Sequence, residues 1–491
     1  MSETAQSIER FRLLRRELEE SILPLATSLD GRRFEFQARL DDLQLEVGGY
    51  VTLEHGTERR LGQVITLERS EVDGPMLPGA GDGATGMRIR IRAARGHGLV
   101  LSGAGPFHDA LVRPAEASEV ADWLSGVRPK RAALPVGTLG RVADVPFSLD
   151  AVGFGRHTFL CGQSGSGKTY SLGVLLERLL LETELRIVIL DPNSDYVRLR
   201  ETRADTAPAE SDAYARAAGE IAVRRQGSDE PLLLRLDQLE PRERAALLRL
   251  DPLDDRAEYA VLEETLRSGP AFQAELATGD TAAEALRLRA ANLGVDSWEI
   301  WARGRAGSIL DDVAGRTHRA LVVDLGSLAS REEQAVVAES VLATLWRNRA
   351  DRAPTLIVID EAHNVCPAEP DDLVTALATD HAVRIAGEGR KFGLHLLLAT
   401  QRPQKVHPNV VSQCDNLVLM RMNSTVDLAF VGDVFSFVPQ SLLDLATTFV
   451  QGEAIVAGPI TSHPALLRFG ARLSLEGGSD APADWAGAPR A

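Results

Sequence analysis

The chain has 491 residues, with 54 Lys and Arg against 70 Asp and Glu and a formal net charge of −16. With 44% hydrophobic and 25% charged residues it has the composition of a folded protein of roughly three domains, which excludes disordered, collagen-like and disulfide-scaffold classes. The acidity argues against a surface coated with nucleic-acid-binding charge, but it leaves room for a local basic channel.

The cysteines and the apolar runs indicate in which cellular compartment the protein is expected. Three cysteines, at 161, 366 and 414, stand far apart with no C-x-x-C, which favours a reducing cytosol over a zinc finger. The N-terminus mixes glutamates with arginines, unlike a signal peptide, and no apolar run reaches the ~18 residues of a membrane span. We therefore expect a cytoplasmic protein with no membrane partner.

Hydrophobic periodicity divides the chain. A stripe at spacings of three and four from Ile8 to Ile22 predicts an N-terminal helix, and a period of two between turn-forming glycines then predicts a small β-barrel. The predicted segments are an N-terminal helix (1–32), a barrel (33–115), a connector (116–150), a core (151–200 and 317–460), a helical insertion (201–316) and a C-terminal extension (461–491), flexible after 471.

The core alternates helical patterns with short, continuously apolar runs, as strands buried on both faces of a mainly parallel sheet do. The six predicted strands are Thr158–Cys161, Ile187–Leu190, Leu321–Leu325, Leu356–Ile359, Leu394–Ala399 and Leu417–Met420. The predicted fold class is therefore α/β.

The strongest motif is a glycine-rich loop, Gly162-Gln163-Ser164-Gly165-Ser166-Gly167-Lys168-Thr169. It fits G-x-x-x-x-G-K-[ST] without a mismatch and lies between an apolar strand and an amphipathic helix. Such a loop cradles phosphates with its backbone N–H groups, while Lys168 bridges the β- and γ-phosphates and the Thr169 hydroxyl ligates Mg²⁺. We expect this loop and the following Tyr170 to bind ATP.

A second motif ends the fourth predicted strand with two carboxylates, Asp360 and Glu361, followed by Ala362 and His363. The carboxyl edge of a parallel sheet is where α/β ligands lie, so Asp360 is expected in the Mg²⁺ shell and Glu361 beside the attacking water. Glu361 favours a hydrolase over a nucleotide switch. His363 is interpreted as a structural or coupling residue.

The fifth predicted strand ends in Gln401, followed by Arg402 and Pro403. A glutamine there resembles a sensor that contacts the γ-phosphate or the lytic water, although a plain polar strand end has the same pattern.

Taken in order, these motifs resemble the additional-strand branch of P-loop ATPases with a RecA-like core, and most closely the HerA-like ATPases, relatives of the FtsK DNA pumps. The match includes Asp191-Pro192, Asp324-Leu325, Asp360 to His363, Gly387 to Gly393, Gln401 to Pro403, Lys405, His407-Pro408 and Ser412 to Cys414. Val47 to Val51 and Leu61 to Val64 resemble the turns of that family's barrel.

The resemblance implies a homohexameric ring with ATP and Mg²⁺ at the subunit interfaces and double-stranded DNA in the channel. It further implies a nuclease or other effector partner docked on the barrel face, in DNA end processing or anti-phage defence. Arg402, Lys405 and His407 are candidates for coupling or DNA contact.

Two departures from the family pattern bear on the site. Asn193 to Tyr196 stand where the family tends to have Gly and then Glu, so Asp195 is a candidate substitute for that Glu. Gly387 stands where the family often has an arginine, so the trans-acting arginine finger has three candidates, Arg390 first and then Arg384 and Arg421.

The leading hypothesis is an ATP-driven DNA translocase or helicase. The alternative is a ring ATPase that acts as a scaffold or nucleotide-gated regulator of an effector, without processive translocation. A membrane-anchored conjugation or secretion ATPase lacks the expected span, and a small-molecule kinase fits poorly because Glu361 and Gln401 favour water as the nucleophile.

Overall fold

The computed structural model describes residues 12–13, 16–17, 23–40, 44–77, 87–127, 131–268, 281–302 and 307–478, with side chains described for these except 72–91 and 267–268. Most of the predicted N-terminal helix, Lys130 and residues 479–491 therefore lie outside the described residues. Within them the chain forms a closed six-stranded barrel and an eleven-stranded sheet flanked by helices. The α/β class with an N-terminal barrel is thus confirmed.

The barrel closes because its first and last strands pair with each other. Its strands are β1 (Leu25–Ser28), β2 (Arg33–Arg39), β3 (Tyr50–His55), β4 (Glu58–Leu77), β5 (Met87–Val100) and β6 (Phe107–Pro114), in the order β1-β2-β5-β4-β3-β6. In β2, Phe34, Phe36 and Ala38 point inward and alternate with exposed residues, the period expected of a strand with one buried face.

The large sheet has a parallel centre and an antiparallel flank. Its strands are β7 (Ala133–Leu139), β8 (Pro146–Asp150), β9 (His157–Cys161), β10 (Arg186–Asp191), β11 (Ile221–Arg224), β12 (Ala320–Asp324), β13 (Thr355–Ile359), β14 (Leu394–Thr400), β15 (Cys414–Met420), β16 (Glu453–Ala457) and β17 (Ala465–Phe469). The order is β11-β12-β10-β13-β14-β9-β15-β16-β17-β7-β8, parallel from β11 to β15 and antiparallel thereafter. Because β14 lies between β9 and β13, the sheet has the additional-strand arrangement.

Helices cover the sheet and connect its strands. In the described residues they are α1 (Ala117–Val127), α2 (Lys168–Glu182), α3 (Pro208–Ala218), α4 (Pro241–Leu247), α5 (Arg256–Ser268), α6 (Thr281–Leu293), α7 (Ile309–Gly315), α8 (Arg331–Arg347), α9 (Leu373–Glu388), α10 (Pro408–Val411), α11 (Thr425–Val434) and α12 (Gln440–Leu443). Two buried apolar clusters occupy the opposite faces of the sheet, and the barrel encloses a third.

The structure differs from the predicted segments in several places. The first barrel strand lies at Leu25–Ser28, within the predicted 1–32 helical segment, because Pro24 ends a helical pattern and four residues are too few to show a period of two. The connector contributes the hairpin β7–β8 to the large sheet, and the predicted helical insertion contributes β11. Residues 471–478, expected to be flexible, pack against the core through the buried residues Arg472, Leu473 and Ser474.

Two further expectations concern cysteines and membranes. All three cysteines are free and buried, so they behave as small apolar side chains of the core. Among the residues that the structure describes, no helix combines the length and the apolar character needed to cross a bilayer.

Candidate nucleotide-binding site

The glycine-rich loop connects the carboxyl end of β9 to the first turn of α2. Gly165 and Gly167 have φ angles of 72° and 90°, which L-residues with a Cβ rarely adopt. Gly162 is required for a different reason, since a Cβ there would lie 2.7 Å from the Cβ of Met420. The chain can therefore turn tightly enough to direct backbone N–H groups and the amino end of a 15-residue helix at one point, which suits an anion.

Neighbouring strands hold this loop in place. Arg421 donates from Nη2 to the Gly165 carbonyl at 3.0 Å, and its own carbonyl accepts from Gln163 N at 2.9 Å. Gly452 N donates to the Ser166 carbonyl at 3.0 Å. Arg421, a candidate arginine finger, therefore contacts the loop of its own chain.

Lys168 is the buried cation at the centre of the site. Its ammonium donates to Asp360 Oδ1 and lies 3.0 Å from Glu361 Oε1. Burial opposes the charge, but the two carboxylates outweigh it and hold the pKa of Lys168 above its usual value. A triphosphate in the loop would compete with these carboxylates for the ammonium.

Glu361 adopts a left-handed conformation, with φ at 43°, at the point where β13 ends. Such strain in a residue with a Cβ is concentrated at functional sites. Gln401, at the end of the adjacent β14, donates from Nε2 to Glu361 Oε1 at 2.9 Å. Burial acts to raise the pKa of Glu361, but Lys168 and the hydrogen bond from Gln401 outweigh it and lower the pKa, so the carboxylate is charged at neutral pH.

The other oxygen of Glu361 faces His363, whose Nδ1 lies 3.3 Å from Oε2 and 3.0 Å from Thr400 Oγ1. His363 is therefore placed to orient Glu361, and its role as a structural or coupling residue stays a prediction. Beyond it a cleft opens, lined among others by Arg331, Arg402 and Lys405. Two of the three predicted coupling residues therefore lie beside Glu361, whereas His407 caps α10 by accepting from Asn409 N at 3.3 Å.

Oxygen ligands for a hard cation gather beside Lys168. The Thr169 hydroxyl lies 3.4 Å from Asp195 Oδ2, and Asp360 is fully buried next to it. Burial, and then the charge of Asp360, raises the pKa of Asp195 to about 6, while burial raises the pKa of Asp191 to about 8. Within the described residues no three His, Cys, Asp or Glu side chains form a complete metal cage. This donor set fits Mg²⁺, which takes one or two carboxylates and completes its shell with phosphates and water.

Arg390 and Arg384 lie elsewhere. Arg390 lies just before the amino end of β14, whereas the site lies at the carboxyl end of this seven-residue strand. At ~3.3 Å per residue, the two ends of the strand are about 20 Å apart. Arg390 pairs with Asp415 at 3.2 Å at that opposite edge, and Arg384 is exposed on α9. Neither is placed to reach the nucleotide of its own chain.

Three residues of the site were missed by the sequence reasoning, namely Glu177, Tyr196 and Arg472. Tyr196 donates its hydroxyl to Asp360 Oδ2 at 3.3 Å, and Glu177 and Arg472 form a fully buried ion pair beside it. The available signal was a Glu among the leucines of α2, where an apolar residue was expected.

Comparison with known proteins bears on the family. A family model described as the central domain of helicase HerA matches residues 134–294, which include the glycine-rich loop. Over these residues the chain is similar to the central domain of the HerA helicases. A DNA double-strand break repair helicase HerA of Saccharolobus solfataricus is 22% identical over 480 residues, covering 87% of this chain and 88% of that protein. This alignment therefore spans most of both proteins.

Other relatives align with a smaller part of the chain. The protein of the same name from Sulfurisphaera tokodaii is 29% identical over 172 residues, covering 33% of each protein. The aligned region therefore spans only about a third of that relative. Among solved structures, VirB4 of Thermoanaerobacter pseudethanolicus is similar at 16% identity with a TM-score of 0.42, covering 70% of this chain and 96% of that one.

Proposed function

We propose that this HerA-like chain is an ATP-hydrolysing motor that translocates on or unwinds double-stranded DNA. One observation carries the hydrolase assignment: a strained, charged Glu361 held by Gln401 beside the phosphate-loop lysine. A carboxylate kept ionised at that position can orient an attacking water and accept its proton. A small-molecule kinase would need a hydroxyl substrate there instead.

The roles follow from the positions of the residues. The loop from Gly162 to Thr169, with Tyr170, binds ATP, and Lys168 neutralises the β- and γ-phosphates. Thr169 and Asp360 would hold Mg²⁺, whose charge would offset that of the phosphates. Gln401 connects the γ-phosphate or its water to Glu361, and Arg390 is the first candidate for a charge donated from a neighbouring subunit.

The remaining proposals are supported by the resemblance to the HerA family. The assembly is a homohexamer around duplex DNA in the cytoplasm, and a nuclease or other effector partner docks on the barrel face, in DNA repair or anti-phage defence. A ring would gather Arg402 and Lys405 six times around one axis, so an acidic subunit can still hold a phosphate backbone.

ATP hydrolysis by the purified chain, with and without duplex DNA, tests this proposal. We expect stimulation by DNA, and loss of turnover in Lys168→Ala and in Glu361→Gln, the latter with nucleotide binding retained. Arg216→Ala, which removes an exposed cation on α3 outside the site, is the matched control and should keep wild-type turnover. If neither DNA nor a partner changes the turnover of a hexameric preparation, the motor proposal fails.

A triplex-displacement assay separates the motor from the scaffold alternative. A motor displaces the third strand when it hydrolyses ATP, and it does not with Glu361→Gln. A nucleotide-gated scaffold would hydrolyse ATP and leave the triplex intact.

A further inference from the structure

Arg472 lies in an unusual environment for an arginine, since its side chain is fully buried. It belongs to the 471–478 segment, which follows the last strand of the sheet and runs back along the nucleotide site. A buried guanidinium is costly unless charged and polar partners surround it. Its partners therefore indicate what this segment does.

The partners of Arg472 come from the phosphate-loop helix and from the segment itself. Arg472 Nε lies 3.5 Å from Glu177 Oε1 on α2 and donates to Ser474 Oγ at 3.0 Å. Glu177 in turn accepts from the backbone N–H groups of Leu473 and Ser474 at 2.7 and 2.8 Å. The backbone N–H of Arg472 donates to the Tyr170 hydroxyl at 2.8 Å. One buried carboxylate thus fixes the segment against the helix that begins with Lys168.

Two glycines make room for this packing. A Cβ on Gly173, inside α2, would lie 2.5 Å from Arg472 Cζ, so the helix accepts a residue of poor helix propensity at this position. A Cβ on Gly477 would lie 2.0 Å from the carbonyl oxygen of Ser194, and Gly477 N donates to the Asp195 carbonyl at 2.9 Å. The segment therefore contacts both sides of the site, the helix and the turn that follows β10.

Tyr196 connects that turn to the metal-facing carboxylate. The Asp191 carboxylate accepts from the N–H groups of Asp195 and Tyr196 at 3.0 and 2.8 Å, which fixes the turn. The ring of Tyr196 is fully buried with the Arg472 guanidinium 5.9 Å from its centre, within cation–π range. Its hydroxyl donates to Asp360 Oδ2, whereas Oδ1 accepts from Lys168 and from Glu361 N.

We propose that Tyr196 is a positioning residue for Asp360, and that Arg472 holds Tyr196 in place from the 471–478 segment. The phenol fixes the rotation of the carboxyl group by binding the oxygen that Lys168 does not contact. A carboxylate held in one orientation loses less freedom when it binds Mg²⁺ or its water shell. This inference rests on the proposed function, because it assigns Asp360 to the metal.

The test compares the affinity for the non-hydrolysable analogue β,γ-imido-ATP in EDTA with that in saturating Mg²⁺. For Tyr196→Phe, which keeps the ring, we expect unchanged affinity in EDTA and a Mg²⁺-dependent gain reduced about two- to tenfold, the range of one net hydrogen bond. The matched control is Tyr50→Phe. Tyr50 is also buried, but its hydroxyl bonds to His463 Nε2 at 2.6 Å and not to Asp360.

Arg472→Lys keeps a cation beside Glu177 and removes the planar group beside Tyr196. We expect it to reduce the Mg²⁺-dependent gain in the same direction, and the double variant with Tyr196→Phe to show no more than the larger single effect, since both act through one contact. A wild-type gain in Tyr196→Phe, or an equal loss in Tyr50→Phe, would overturn the inference alone. A wild-type chain that gains nothing from Mg²⁺ would overturn the metal assignment of the proposed function as well.

Discussion

Replacing Lys168 with Met should destabilise the fold in a way that depends on pH. The substitution keeps most of the apolar stem and removes the only cation that contacts Asp360 and Glu361 together within the described residues. Both carboxylates are almost fully buried, so the loss leaves charge without compensation in a medium of low polarity. One of the two carboxyl groups should then take up a proton.

The magnitude follows from a neighbour at the same sheet edge. Burial raises the pKa of Asp191 from 3.8 to about 8. A carboxyl shifted to that extent in the folded state costs about 4 kcal/mol of stability at pH 7 and about 1.5 kcal/mol at pH 5, at about 1.36 kcal/mol per pKa unit. The sign follows from proton binding: the folded variant binds more protons than the unfolded one, so its stability falls as pH rises. In the wild type, Lys168 keeps the pKa of Glu361 low and removes this dependence.

Thermal unfolding of both proteins at pH 5 and pH 7 measures the effect. At about 1 °C per kcal/mol for a chain of this length, the Tm of Lys168→Met should fall by about 4 °C at pH 7 and by about 1.5 °C at pH 5. Adding Asp360→Asn to the variant should restore most of the difference, and the exposed Lys391→Met should change Tm by less than about 0.5 °C. A Tm loss that is equal at both pH values, or larger at pH 5, would refute the reasoning.

Three further outcomes are expected. Gly173→Ala should lower Tm although alanine has the better helix propensity, because the added Cβ would collide with the Arg472 side chain. The control Gly387→Ala on α9, where a Cβ meets nothing within 4 Å, should be neutral or stabilising by up to ~1 kcal/mol. A higher Tm for Gly173→Ala would contradict the packing. Burial lowers the pKa of His463 to about 4, so the fold should lose about 3 kcal/mol of stability as pH falls from 6.5 to 4. The Tm of His463→Gln should therefore fall less than that of the wild type over this pH range. Parallel plots of Tm against pH for the two proteins would count against this. Gln401→Glu places a second carboxylate where the Gln401 amide lies 2.9 Å from Glu361. It should lower kcat at least about a hundredfold and leave nucleotide affinity unchanged. A change in KM alone would rule out a role for Gln401 beside the lytic water.

Local patterns predicted the parts of the site that depend on local geometry. The glycine-rich loop needs its residues in sequence, and Asp360 and Gln401 follow strands whose apolar runs are visible without a structure. Parallel strands bring such ends to one edge, which is why Lys168, Glu361 and Gln401 could be grouped in advance. The structure adds the distances between these side chains, which a sequence pattern does not give.

The residues that escaped prediction act across long stretches of chain. Arg472 contacts Glu177, and no period or spacing connects residues so far apart. Its segment is rich in Gly, Ala and Ser, a composition that also suits a flexible tail. The strand β11 was missed because four residues within an Ala- and Leu-rich region do not outweigh the helical pattern around them.

The pairing of β17 with β7 has a consequence for how the molecule is made. Leu467 of β17 pairs with Leu139 of β7, so β7 gains this partner only after β17, the last strand of the sheet to be synthesised, has left the ribosome. At about 5–20 residues per second, roughly half a minute passes between the two, during which the barrel can close on its own. A nascent chain can therefore complete the barrel before it contains every residue of the candidate nucleotide site.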